Sequence, residues 1–118
     1  MWHSVNNVKS TEDSITADIS IKGDSQWFDG HFPGLPVLPG IAQISMIQDA
    51  VQQMDGHNGN RVTITGITKM RFRQLITGEA ILNLTMTKEK KSPSHYKFKL
   101  LHNNQLICNG TVLLGSIK

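Results

Sequence analysis

The stretch PGIAQISMIQDAVQQM, residues 39 to 54, decides how the rest of the chain must be arranged. Ile41, Ile44, Ile47, Val51 and Met54 recur at helical spacing, and Ala42, Met46 and Ala50 widen the apolar stripe. Pro39-Gly40 sits where such a helix begins, a place that tolerates a residue with fixed φ and no N–H. Asp55-Gly56-His57-Asn58-Gly59-Asn60 is turn chemistry and ends it. A helix this apolar needs cover over most of its circumference, and the rest of the chain must supply it.

The cover reads as strands. Ile15, Ala17, Ile19 and Ile21 alternate with Thr16, Asp18, Ser20 and Lys22, the two-residue period of a half-buried strand. After the helix, residues 62 to 73 form a strand with an irregularity expected at Gly66, and Ala80, Leu82, Leu84 and Met86 mark the apolar face of the next. Tyr96, Phe98 and Leu100 mark another, which Asn103-Asn104 turns into a last strand over residues 106 to 114. The order is strand, long buried helix, four strands. It predicts an α+β protein of the hotdog kind, a long antiparallel sheet wrapped around one central apolar helix, as one domain over residues 1–118. An exposed sheet edge and an uncovered helix flank predict a homodimer, with a higher oligomer left open.

Composition excludes several classes. With 38% apolar and 18% charged residues, the chain is neither disordered nor fibrous. Its most apolar segment, residues 35 to 46, is far short of a membrane span, and the opening Met1-Trp2-His3-Ser4 is not that of a secretion signal, so the expected location is cytoplasmic. The lone Cys108 cannot make an internal disulfide or a thiolate metal cluster and reads as a small core residue. A net charge of +3 is too mild to announce nucleic-acid binding, and no reader motif is present. His3, His57, His95 and His102 have no metal-ligand spacing to one another or to Cys108, so no metal is expected.

Ahead of the helix lies WFDGHFPGLPVLPG, residues 27 to 40. Pro33, Pro36 and Pro39 stiffen the chain that carries His31, and the first helical turn offers unpaired N–H groups to a carbonyl oxygen gaining negative charge. Trp27 and Phe28 are commonly core plugs, though either can line an acyl pocket.

GHFPGLPVLPG followed by an apolar helix resembles the signature of the 3-hydroxyacyl-[acyl-carrier-protein] dehydratases, which are hotdog dimers. The likeness continues through Ile67-Thr68-Lys69-Met70-Arg71-Phe72-Arg73-Gln74 and Thr77-Gly78-Glu79 to Leu106-Ile107-Cys108-Asn109-Gly110. It implies that His31 is the base acting on a 3-hydroxyacyl thioester and that Gly40 supplies the N–H for the thioester carbonyl. Phe32, Pro39 and Asp49 would contact substrate. It implies no bound cofactor, since the phosphopantetheine arm arrives with the substrate, on an acyl carrier protein or as acyl-CoA. The family carries a Glu or Asp that protonates the departing hydroxyl; fourteen residues after His31, this chain has Ser45 instead. A serine can orient the hydroxyl but cannot deliver a proton as an acid does. Asp49 lies one turn further, on the same helix face and roughly 6 Å along the axis. Gln43 and Gln48 hydrogen-bond but do not shuttle protons at neutral pH.

Lys69, Arg71 and Arg73 alternate along one strand and are expected on one face. That face is either simply solvated or, as the resemblance implies, the landing place of an acidic carrier protein. Two rival readings stay open: an acyl-thioesterase using Asp49 on the same fold, and a non-catalytic acyl or carrier-protein binding module.

Overall fold

The computed structural model describes residues 2–28, 38–54, 61–92 and 94–117. Strands β1 (Ser4–Ser10) and β2 (Ser14–Ile21) form a hairpin, followed by a single 3-10 turn over Gln26–Phe28 and helix α1 (Gly40–Met54). Then come β3 (Arg61–Phe72), β4 (Ala80–Lys88), β5 (His95–His102) and β6 (Gln105–Ile117). All strand pairs are antiparallel, in one sheet of order β1-β2-β4-β5-β6-β3. Helix α1 approaches both edge strands, β1 and β3, as well as β2. One helix can reach both edges of a sheet this wide only if the sheet curls around it, so the architecture is the hotdog arrangement expected above.

Alternation puts Ile15, Ala17, Ile19 and Ile21 of β2 on the inner face with Ala80, Leu82, Leu84 and Met86 of β4 and Phe98 and Leu100 of β5, all buried. They meet Ala42, Met46, Ile47, Ala50 and Val51 of α1. Asn103 and Asn104 both take positive φ, 51° and 65°, the conformation a two-residue hairpin turn requires.

Three expectations need correction. The sheet has six strands, because Ser4–Ser10 pairs with β2; the pairing slips between Asn6 and Lys9, where Asn7 has φ 55°, so no two-residue alternation marks this strand in the sequence. The buried stripe of α1 is centred on Ala42, Met46 and Ala50 rather than on Ile41, which is 66% exposed. Gln43 lies inside that stripe, 2% exposed, with no hydrogen-bond partner for Oε1 among the described residues. Finally, β3 carries the slip expected at Gly66 and a second between Thr68 and Arg71, with Lys69 at φ 55°. That bulge interrupts the alternation that was to carry Lys69, Arg71 and Arg73 on one face.

The bulge and Gly110 need each other. A Cβ on Gly110 would lie 2.9 Å from the Met70 Cα and 2.9 Å from the Phe98 ring. Backbone on one side and a fully buried ring on the other leave little room to yield, so Gly110→Ala should destabilise the fold by about 1–3 kcal/mol in urea unfolding. Cys108, fully buried at the β6 partner of Phe72, has its thiol pushed up to about 11 by burial. Native protein at pH 8 should therefore resist thiol-specific reagents, with about a thousandth of the group as thiolate, and react promptly once unfolded.

Candidate functional site

Helix α1 turns Ile44, Ser45, Gln48 and Asp49 toward the seam with β3, where they and Ile64 line an open cavity of about 300 Å³. The seam is fixed by Gln48. Its side-chain nitrogen donates to Thr63 Oγ1 at 2.7 Å, and its oxygen accepts from the Ile64 backbone N–H at 2.9 Å. A glutamine thus ties the helix to an edge strand, and the polar atoms of both partners are paired instead of being stranded beside apolar walls.

Asp49 is held from the other side. His3 Nε2 lies 2.6 Å from Asp49 Oδ2, and His3 Nδ1 accepts from the indole N–H of Trp27 at 3.0 Å. The His3 and Trp27 rings are nearly parallel, with centroids 6.1 Å apart, while Trp2 meets Trp27 edge-on at 4.6 Å. Buried Ser25 ties this corner together, donating from Oγ to the Trp2 carbonyl and accepting from the Trp27 backbone N–H at 3.2 Å. The first residues of the chain therefore reach the middle of α1 because β1 lies at a sheet edge that curls onto the helix.

Other expected site residues fall as follows. Pro39 and Gly40 are half-buried at the start of α1, and the Ala42 N–H donates to the Pro39 carbonyl at 3.1 Å. A Cβ on Gly40 would lie 2.7 Å from the Phe72 ring, so that ring covers the glycine. Ser45 and Asp49 line the same cavity. His31 and Phe32 lie outside the described residues. Lys69, Arg71 and Arg73 are exposed, and Arg73 Nε donates to Asn109 Oδ1 at 3.1 Å. No group of three or more metal-ligating side chains occurs among the described residues. No helix among them is long and apolar enough to cross a membrane. The sequence does not point to His3 as a partner of Asp49, nor to Trp27 as a partner of His3. Forty-six residues separate His3 from Asp49, and no local pattern announces the contact.

The 3-hydroxyacyl-[acyl-carrier-protein] dehydratase FabZ of Erythrobacter litoralis is 29% identical over 103 residues, covering 80% of this chain and 68% of the relative. FabZ of Listeria welshimeri is 27% identical over 119 residues, covering 94% and 83%. Among solved structures, a chain of the dehydratase heterocomplex ApeI:P from Xenorhabdus doucetiae superposes with a TM-score of 0.77 at 21% identity, covering 97% of this chain and 98% of that one. The Lactococcus lactis protein yhdA, provisionally assigned as a thioesterase, has a TM-score of 0.70 at 14% identity, covering 97% and 92%. These likenesses of shape carry the fold alone. Residues 7–111 match the family model described as ApeI-like, ApeI dehydratase, and the chain belongs to that family.

Proposed function

We propose that the protein reversibly removes water from 3-hydroxyacyl thioesters to give enoyl thioesters, serving fatty acid or related acyl-chain synthesis in the cytoplasm. The observation that carries this reading is a cavity walled by both Ser45 and Asp49 in a chain of a dehydratase family. In dehydration, His31 takes a proton from C2 and the Gly40 N–H holds the thioester carbonyl as negative charge gathers there. Ser45 orients the 3-hydroxyl. Asp49 gives that oxygen a proton as the C3–O bond breaks and water leaves. Hydration runs the same atoms backward, with the Asp49 carboxylate taking a proton from water as its oxygen bonds to C3.

Phe32 and Pro39 flank the acyl chain in this scheme. Lys69, Arg71 and Arg73 meet an acidic acyl carrier protein, or the phosphate of the phosphopantetheine arm when coenzyme A delivers the substrate. No cofactor of the protein's own takes part. The active form is a homodimer: β3 is an edge strand, and exposed Phe72 at its end lies against the start of α1, next to exposed Ile41. One observation favours a second reading. A carboxylate open to the cavity can activate water for hydrolysis of a thioester as well as for its addition to an alkene.

The test offers 3-hydroxyacyl, enoyl and saturated acyl thioesters to the purified protein. Dehydration and hydration without hydrolysis of the saturated ester support the proposal; hydrolysis alone establishes the thioesterase reading, and binding without turnover a carrier module. His31→Ala and Asp49→Asn should each lower the dehydration rate by about 10²- to 10⁴-fold. Adding Ser45→Glu to Asp49→Asn should restore part of that rate by returning an acid one turn away, and a folded double variant with no gain would remove Ser45 from the hydroxyl's side of the site.

A further inference from the structure

His3 has no task in the scheme above, yet its side chain is only 7% exposed, against 47% for the carboxylate it meets. A buried imidazole is costly unless both nitrogens have partners, and here both do. An indole N–H can only donate. Because Trp27 donates to Nδ1, that nitrogen carries no proton; the ring proton sits on Nε2 and points at Asp49 Oδ2. Trp27 in turn is held through its own backbone N–H by Ser25. One carboxylate oxygen of Asp49 is therefore committed to a fixed donor, while Oδ1 takes no hydrogen bond among the described residues.

We infer that His3 is the positioning residue of Asp49, locked by Trp27 in its Nε2–H form, and that Oδ1 of Asp49 exchanges the proton with the substrate hydroxyl. The inference rests on the proposed dehydration. His3 touches no substrate; its hydrogen bond stops the carboxylate from turning and keeps Oδ1 aimed at the cavity. Ser25, Trp27, His3 and Asp49 then form a chain of contacts from the loop preceding the HFPG motif to the cavity wall.

Kinetics and nitrogen NMR of the imidazole test this together. His3→Ala should lower kcat for enoyl-thioester hydration about 10- to 100-fold, a part of the full acid-base contribution, and leave KM within about twofold. His3→Gln presents an amide N–H where Nε2 was and should recover most of the loss. His3→Ala combined with Asp49→Asn should be no slower than Asp49→Asn alone, since residues that act as a unit are not additive. NMR should find the Nε2–H tautomer in the unmodified protein and a mixture in Trp27→Phe. A folded His3→Ala protein with unchanged kcat, a glutamine variant no better than alanine, or a double variant slowed further would overturn the positioning role. An Nδ1–H form in the unmodified protein would overturn the relay by itself. Absence of turnover on every thioester sinks the dehydratase reading and the kinetic role of His3 with it, and is told apart by leaving the tautomer result intact.

Discussion

A helix that is apolar over half its surface must be dried on most of its circumference, and here one sheet does so by curling until both of its edges reach the helix. Met46, Ile47, Ala50 and Val51 are removed from water against Leu84, Met86, Phe98 and Leu100. Each large side chain so buried is worth about 1.5–3 kcal/mol against the entropy of ordering it. A curled sheet has ends, however, and at the seam where Gln48 ties β3 to α1 the contact leaves a gap along one half-covered flank of the helix. The cavity at Ser45 and Asp49 is that gap. Its existence follows from the packing; what the protein can do with it depends on the polar side chains that line it.

Those side chains are not left to solvent. Gln48 closes the seam with two hydrogen bonds to β3, and His3 reaches Asp49 from the opposite edge of the sheet. The two edge strands thus hold the same turn of helix from both sides, one through an amide and one through an imidazole. Held groups of this kind lose less freedom when a substrate arrives, which is the structural condition for a proton to be passed across a fixed distance. The second bulge of β3, with Gly110 beneath Met70 and Phe98, shapes the far end of the same strand and brings the Phe72 ring over Gly40.

The relatives put these details in proportion. Chains only 14% and 21% identical to this one share its backbone, one from a dehydratase complex and one provisionally a thioesterase. A scaffold so tolerant of sequence leaves chemistry to a few positions along the helix and the loop before it. At the position where the dehydratase resemblance places an acid, this chain has a serine, and a carboxylate one turn later takes up a hydrogen bond from a histidine at the start of the chain.

The helix bounds, five of the six strands, the Asn103-Asn104 turn and the slip at Gly66 were legible in the sequence, because each is written in neighbouring residues: periodicity, turn formers, a glycine in a strand. So was the family, through a loop motif whose prolines and histidine are contiguous. The sequence placed Ser45 and Asp49 on one face for the same reason, since residues four apart on a helix must neighbour each other. It did not reveal β1, whose alternation is broken at Asn7, nor the bulge at Lys69, nor the true centre of the helix stripe. These are settled by which partner each strand finds. The His3–Asp49 and Trp27–His3 contacts belong to the same class. Distances across a folded sheet depend on how the whole chain closes, and only the tertiary structure decided that a histidine near one end would lie against a carboxylate in the middle.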